Sequence, residues 1–143
     1  MNITEKVLNR FGTELVAEMV TEQFMLSLFK NQILYVYVLR HTIIDMKMVL
    51  EITNFLGDEH DKTHYNIVEF EPFSESVTES RKWAAGQTNE RSSFADAFVV
   101  NNLAHKILMD SYLKQSKPIF PTAIFNTTEQ AFDWIEMIMN ERI

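Results

Sequence analysis

Apolar and polar positions alternate in blocks along this chain, and the first clear blocks predict two adjacent strands. Residues 24–29 and 33–39 are apolar runs, and the second is rich in β-branched and aromatic side chains. The polar residues 30–32 separate the two runs. Short runs of this composition around a polar turn predict an antiparallel hairpin, which we expect to open a β-sheet.

The later blocks switch between helical spacing and short apolar runs. Thr42 and Asp45 predict a capping box, followed by a helix with an inward face at Met46, Val49, Ile52 and Leu56 that ends at Gly57. The blocks after it are a strand at 64–71, a helix ending at 85, a strand at 94–100, a helix from about 103, a strand at 123–125 and a final helix. The pattern therefore predicts an α/β fold: a mixed sheet opened by an antiparallel hairpin, then largely parallel strands alternating with about four helices.

Residues that favour helix N-caps stand before each of the last three helices. They are Ser74 or Ser76, then Asn101 or Asn102, then Thr127 or Thr128. The helix after Asn102 is predicted to turn its apolar side chains inward, namely Leu103, Ile107, Leu108 and Tyr112. Residues 1–22 fit a helix or an edge strand, so their structure stays open.

Composition places the chain among ordinary globular domains. Its 143 residues fit a single domain spanning 1–143, and the net charge of −7 would repel phosphate backbones, so nucleic acid is not an expected partner. With no cysteine, disulfides and thiolate metal sites are excluded, which fits a reducing compartment. The longest apolar run, 33–39, is too short for a membrane span, and we expect a cytoplasmic protein.

The order of elements and several short motifs resemble the STAS fold of bacterial anti-sigma-factor antagonists. The resemblance covers about residues 24–140, and the motifs resemble a group of small bacterial STAS-like proteins. They are IDMK at 44–47, SRKWA at 80–84, AFVVNN at 97–102, KPIFPTAIF at 117–125 and AFDWI at 131–135. The resemblance implies a non-catalytic regulatory domain that acts through a protein-binding surface.

The STAS resemblance also implies a phosphorylation switch, and here the chain departs from the family pattern. Some antagonists are switched at a serine that starts the helix after the second major strand, within a turn resembling Asp-Ser-Ser/Thr-Gly. Residues 71–76 read EPFSES, which lacks that aspartate and glycine. Ser74 and Ser76 are the candidate phosphorylation sites, and simple helix capping is the alternative that we favour.

Histidine and acidic residues stand near one another at two places, a pattern that superficially resembles a metal or catalytic site. His60 and His64 lie near three carboxylates, but Gly57 ends the preceding helix, so we predict a solvated acidic loop and no metal site. His41 and Asp45 fit an ordinary contact at a helix start. No phosphate-binding loop, dinucleotide fingerprint, zinc-protease motif or nucleophile elbow is present, so we predict neither an enzyme nor a cofactor.

One edge of the predicted sheet collects polar side chains at helix starts. Carboxyl ends of parallel strands are common ligand sites, because helix N-termini carry unpaired N–H groups there. That edge is predicted to bind a small anion or ligand through Ser74, Ser76, Asn101, Asn102, His105, Thr127 and Thr128. Each of these residues can also be explained as part of a helix cap, and both interpretations stay open.

Three functions follow, in decreasing order of preference. The first is a non-catalytic STAS-like module that binds an unknown protein partner and self-associates, for example as a homodimer. The second is a carrier or sensor of a small apolar or lipid-like ligand, because STAS-like folds resemble part of the CRAL-TRIO lipid carriers. The eight methionines and eleven phenylalanines fit a gap-filled core, with a plastic apolar pocket as the alternative. An enzyme using His41, His60 or His105 comes last.

Overall fold

Six strands of the chain pair into one sheet that helices cover on both faces. The computed structural model describes residues 2–142, except the side chains of residues 60 and 61. The elements in order are α1 Ile3–Phe11, β1 Leu15–Val20, β2 Phe24–Phe29, β3 Ile33–Val38, β4 Ile43–Ile44, α2 Met46–Leu56, a 3-10 helix Gly57–Asp61, β5 His64–Phe70, β6 Glu75–Ser76, α3 Thr78–Ala84, β7 Ser93–Val99, α4 Leu103–Gln115, β8 Thr122–Phe125 and α5 Thr128–Glu141.

The sheet combines an antiparallel half with a parallel half. Its strand order is β1-β2-β3-β5-β7-β8, and the strands from β3 to β8 run parallel. The predicted hairpin of β2 and β3 is confirmed, with Leu26 opposite Val36. The predicted parallel order is confirmed too, so the chain has the mixed α/β fold expected from its pattern. The short strands β4 and β6 form a separate parallel pair.

The N-terminal segment, which the sequence left open, contains both of the structures that its pattern allowed. Asn2 caps α1 through a hydrogen bond from the Glu5 N–H, and α1 ends at Gly12, which has a left-handed backbone. Strand β1 then pairs antiparallel with β2, with Leu15 opposite Phe29. The helix and the edge strand therefore share this segment, and β1 extends the hairpin into three antiparallel strands.

The two faces of the sheet have different helical covers. Helices α1 and α5 cover one face, where Val7, Phe132 and Ile135 pack on strand residues such as Phe29 and Ile67. The other face is covered in two separate places: α2 lies over β2 and β3, and α3 and α4 lie over β7. The half-buried β5 residues Val68 and Phe70 contact both of these clusters, so β5 lies between them.

The predicted capping box of α2 is wrong in one residue. Asp45 is the N-cap, and its carboxylate accepts from the Met48 N–H at 3.0 Å. Thr42 is buried instead, and its hydroxyl donates to the Gln23 carbonyl at 2.9 Å. Because Gln23 lies just before β2, Thr42 ties the start of the hairpin to the chain that leaves it, a contact that local sequence does not reveal.

The predicted caps of α3 are also wrong. This helix begins at Thr78, its N-cap position is Val77, and no side chain caps it. The Ser74 hydroxyl donates to the Glu71 carbonyl, and the Ser76 hydroxyl accepts from Arg81. Residues 75 and 76 extend as β6 beside β4, so the chain stays extended past both serines before the helix begins.

The predicted inward face of α4 is mostly wrong. Leu103, Ile107 and Leu108 are 73%, 59% and 54% exposed, whereas Tyr112 is buried as predicted. The inward side of α4 carries His105, Met109 and Tyr112, which recur at helical spacing. The hydrogen bonds of His105 favour this orientation. A buried imidazole needs hydrogen-bond partners, and the inward side of α4 provides them at Ser74.

Within residues 2–142, no helix has the length and apolar character that crossing a bilayer requires.

Candidate functional site

A cavity of about 320 Å³ lies between the sheet and helices α2, α3 and α4. Its apolar wall is built from both secondary-structure layers; examples are Val36, Val68 and Phe98 on strands and Ile52, Ala84 and Met109 on helices. Protein interiors contain few voids larger than a water molecule, and ligand pockets typically measure about 300–1,000 Å³. The cavity therefore has the size of a ligand site rather than of a packing defect.

The cavity exists because the helical cover of this face is divided. Helix α2 packs on β2 and β3, helix α4 packs on β7, and neither fills the space above β5. Exposed residues also contribute to the lining, among them Glu75, Leu108 and Gln115. Since these side chains reach solvent, the cavity opens to the surface and does not need unfolding for a ligand to enter.

A buried ion pair stands in the wall of the cavity. Asp96, only 2% exposed, lies within the interior strand β7 and pairs with Arg91, the two N–O distances being 2.8 and 3.1 Å. Asn66 and Ser93 also donate to its Oδ1, at 3.0 and 2.8 Å. Four hydrogen bonds therefore occupy this carboxylate, which is what keeps a charge tolerable in a buried strand.

Aromatic rings and a carbonyl hold Arg91 in place. Its guanidinium carbon lies 4.9 Å from the Phe120 ring centroid and 5.4 Å from that of Trp83. One of its nitrogens also donates to the Ala84 carbonyl at 2.6 Å. These contacts order the Arg91 side chain, and its guanidinium balances the charge of Asp96 inside the wall.

Tyr112 lines the cavity and carries a buried hydroxyl. The residue is 5% exposed and packs edge-on against Phe98, with ring centroids 5.8 Å apart. Among the residues that the structure describes, its hydroxyl has no hydrogen-bond partner. Burial raises the pKa of Tyr112, the charge of Asp96 raises it further and that of Arg91 opposes them, so the phenol keeps its proton at neutral pH.

Ser74 and His105 meet at another part of the lining. The Nε2 atom of His105 lies 3.0 Å from the Ser74 carbonyl oxygen and 3.3 Å from its hydroxyl. Asn102 accepts from the His105 N–H through Oδ1, which turns its Nδ2 toward Nδ1 of the ring at 3.2 Å. In this arrangement Nδ1 accepts from the Asn102 amide and Nε2 donates to the Ser74 carbonyl, so both ring nitrogens have partners.

Ser76 and Arg81 form the polar rim of the cavity near α3. Arg81 donates to the carbonyl and the hydroxyl of Ser76 and to the Thr78 hydroxyl. Among the described residues it has no carboxylate within ion-pair distance. Glu75 lies on the same rim, so the rim carries one charge of each sign.

The structure brings together only part of the predicted polar edge. Ser74, Ser76 and His105 line the cavity. Asn101 is exposed, while Asn102 caps α4 and Thr127 caps α5, as predicted. Thr128 begins α5 and contacts Glu129. Ligand binding by the seven predicted residues remains a prediction, and the cavity now separates three of them from the other four.

The other candidate residues have structural surroundings of their own. His41 stacks on Phe73 with ring centroids 5.5 Å apart, while its suspected partner Asp45 caps α2. The side chain of His60 lies outside the described residues, and His64 is buried in β5. In the described part of the chain, no three His, Asp or Glu side chains lie close enough to hold a metal ion.

Sequence reasoning missed the ion pair and the role of Tyr112. One signal was available, since Asp96 is a charged residue inside the otherwise apolar run 94–100. A charge in such a position requires a buried partner. For Tyr112 no local signal exists, because an unsatisfied hydroxyl depends on what the fold places around it.

A comparison with protein-family models gave a match over most of the chain. Residues 27–139 match the model described as Domain of unknown function (DUF7793). The chain belongs to the DUF7793 family. The region matching the DUF7793 model includes every strand and helix that lines the cavity, whereas α1 and β1 lie before it. No curated protein and no solved structure matches the chain significantly.

The network around His105 leads to a stability prediction. Asn102→Ala removes the cap of α4 and the donor to His105 Nδ1, so we expect a loss of about 1–2 kcal/mol in the free energy of unfolding. Thr127→Ala is the matched control, because Thr127 caps α5 away from the cavity, and we expect about 1 kcal/mol. Urea denaturation measures both. An equal or smaller loss for Asn102→Ala would show that the amide does not hold His105.

Proposed function

We propose that the chain is a non-catalytic module that binds a small, largely apolar ligand in the cavity beside β5. The observation that carries this proposal is the cavity of about 320 Å³, which has an apolar wall and opens to the surface. A ligand that fills the cavity gains the contacts that the void denies to its lining.

The volume sets the size of the ligand. An apolar cavity of about 150 Å³ in another protein accommodates benzene, with its six heavy atoms. By that ratio, this cavity takes a ligand of about a dozen heavy atoms. Met48 and Met109 line it, and the flexible methionine side chain can adjust to ligands of different shape.

The titratable groups around the cavity support binding rather than catalysis. Asp96 is occupied by four hydrogen bonds, and both ring nitrogens of His105 are engaged. Tyr112 keeps its proton, since its pKa is raised. None of these three groups is poised to accept a proton from a substrate, which is the first requirement of a general base.

A protein partner is the second candidate function, and the exposed side of α4 favours it. Leu103 and Ile107 are 73% and 59% exposed one helical turn apart. In the STAS-like interpretation, this module works in the bacterial cytoplasm through a protein partner or as a homodimer. Ser76 is then the better placed of the two candidate phosphorylation sites, because Ser74 is buried and Arg81 already contacts Ser76.

Native mass spectrometry of gently purified protein tests the ligand proposal. We expect a retained mass corresponding to about a dozen heavy atoms, which organic extraction removes. The stripped protein should then bind an apolar fluorophore of the same size. A protein that retains nothing, and that binds no such fluorophore after extraction, would refute the proposed function. The same spectrum reports the subunit number and any phosphate.

A further inference from the structure

We propose that the ligand is an amphipathic anion, an aliphatic or aromatic acid whose apolar body fills the cavity and whose carboxylate binds Arg81 at the rim. This ligand class rests on the cavity being a ligand site, as proposed above. It assigns to Arg81 the role of a specificity-determining residue. It also divides the site into an apolar interior beside β5 and a polar rim near α3.

Arg81 is a cation of the cavity lining that has no carboxylate partner. Two arginines of the described chain line the cavity, Arg81 and Arg91. Arg91 pairs with the buried Asp96 at 2.8 Å, so its charge is already matched inside the wall. Among the described residues, no carboxylate lies within ion-pair distance of Arg81. The lining therefore offers an incoming ligand one unpaired positive charge.

The guanidinium of Arg81 is held in place by neutral groups and keeps donors for a ligand. It donates to the carbonyl and the hydroxyl of Ser76 and to the Thr78 hydroxyl, which uses at most three of its five N–H donors. Its Nε atom has no hydrogen-bond partner in the described part of the chain and is not among the buried atoms there. A carboxylate oxygen can therefore reach it, and arginine binds carboxylates through two parallel hydrogen bonds.

Ser76 and Thr78 add hydroxyl donors beside Arg81. Both hydroxyl oxygens accept from the guanidinium, and neither hydroxyl proton has an acceptor among the residues that the structure describes. A carboxylate next to Arg81 can accept from these protons as well. The charge of this site comes from a side chain and not from α3, which has only seven residues.

Glu75 is the acidic residue of the rim, and it opposes an anion only weakly. Glu75 and Ser76 are consecutive in the strand β6, so their side chains point to opposite sides of it. Ser76 contacts Arg81, whereas Glu75 is exposed to solvent. Because water screens an exposed charge, Glu75 lowers the affinity for an anion without excluding it.

The rim is also where a carboxylate loses least of its water. In the interior, the head would lie among apolar side chains and near the charge of Asp96, and burying an unpaired charge is strongly unfavourable. At the rim, the head keeps part of its hydration and gains Arg81, while the apolar body leaves water inside the cavity. The acid is therefore expected to bind with its apolar end innermost.

Three matched probes of the right size test the ligand class: 2-naphthoate, 2-naphthamide and 2-naphthylmethylammonium. They share one apolar body and carry a negative, a neutral and a positive group. For the stripped wild-type protein, we expect 2-naphthoate to bind about tenfold more tightly than 2-naphthamide, because its hydrogen bonds to Arg81 are charge-assisted. The ammonium probe should bind most weakly. Fluorescence titration at neutral pH gives each dissociation constant.

The Arg81→Gln variant tests the anchoring residue. It should abolish the tenfold preference for 2-naphthoate and leave binding of 2-naphthamide unchanged. Arg81→Lys should keep part of the preference, because it retains the charge without the fork of donors. Arg142→Gln is the matched control: it changes the net charge equally, but Arg142 lies over Phe94 on the other face of the sheet. The control should keep the wild-type preference.

Glu75→Gln provides a test that leaves Arg81 and its hydrogen bonds in place. Removing the opposing charge from the rim should tighten binding of 2-naphthoate about threefold and leave binding of 2-naphthamide unchanged. An unchanged or weaker affinity for 2-naphthoate would place the carboxylate away from the rim and overturn the assignment. The same fluorescence titration measures this effect.

Each other contrary outcome has a distinct meaning. If the wild type binds 2-naphthoate and 2-naphthamide equally, the acid assignment is overturned while the proposed ligand site stands. If the preference survives in Arg81→Gln, the proposed role of Arg81 is wrong. If the ammonium probe binds best, the ligand is a cation and the assignment is again wrong. If no probe binds the stripped wild type, the proposed function fails together with the assignment.

Discussion

Replacing Asp96 with asparagine is expected to lower the free energy of unfolding by about 3–5 kcal/mol, the usual cost of breaking a buried ion pair. Asparagine has the same shape as aspartate but no charge, so Arg91 would stay buried without a counter-ion. The amide nitrogen of the new side chain would also face a guanidinium N–H across a distance that is now 3.1 Å. Two donors would then point at each other.

Urea denaturation measures this loss, and a double-mutant cycle assigns it to the pair. Adding Arg91→Met to Asp96→Asn removes the unpaired charge, so the double variant should lose less free energy of unfolding than the sum of the two single variants.

Glu14→Gln is the surface control, because the Glu14–Lys30 pair is separated by 4.0 Å and both side chains are largely exposed. We expect little measurable change there. A loss below about 1 kcal/mol for Asp96→Asn would contradict a buried, mutually dependent pair.

The second large effect is expected from filling the cavity. Val68→Trp places a bulky ring in the empty space above β5, where Val68 is half-buried and lines the cavity. We expect the free energy of unfolding to stay the same or increase, because the ring gains contacts that the void denies to its lining. Binding of an apolar fluorophore of about a dozen heavy atoms, such as 2-ethylnaphthalene, should weaken at least tenfold, since the ring occupies part of the ligand volume.

Val99→Trp is the matched control for this experiment. Val99 lies on the neighbouring strand β7, is 3% exposed and packs in the cluster beneath α5, on the face of the sheet away from the cavity beside β5. The same substitution should therefore cost about 1–3 kcal/mol or more through overpacking. Equal destabilisation by both variants would show that the space above β5 does not accept a ring. Unchanged probe binding in Val68→Trp would place the ligand elsewhere.

Local sequence was sufficient for the features that depend on neighbouring residues. The sequence offered Asn101 or Asn102 for one helix and Thr127 or Thr128 for the other. In the structure Asn102 and Thr127 are the caps, and each accepts from the N–H three residues further on. The hairpin of β2 and β3 follows from two apolar runs and a polar turn. These predictions were correct because their interaction partners lie within a few positions along the chain.

Local sequence was misleading where distant residues decide the outcome. In α4, spacing favoured Leu103, Ile107 and Leu108 as the buried face, although all three are exposed. The hydrogen bond from His105 to Ser74 spans 31 positions, and it turns the opposite side of the helix inward. Extension of the chain through β6 likewise moved the start of α3 beyond both serines.

The alternation of apolar blocks by itself determined the mixed α/β order of this protein, the direction of its strands and the caps of two helices, because these depend on local periodicity and short-range hydrogen bonds. Only the tertiary structure decided that α2 and α4 leave a cavity between them. The residues lining that cavity have the same apolar pattern as packed core residues, so empty volume has no local signature. The lack of a hydrogen-bond partner for the Tyr112 hydroxyl likewise depends on which side chains the fold places around it.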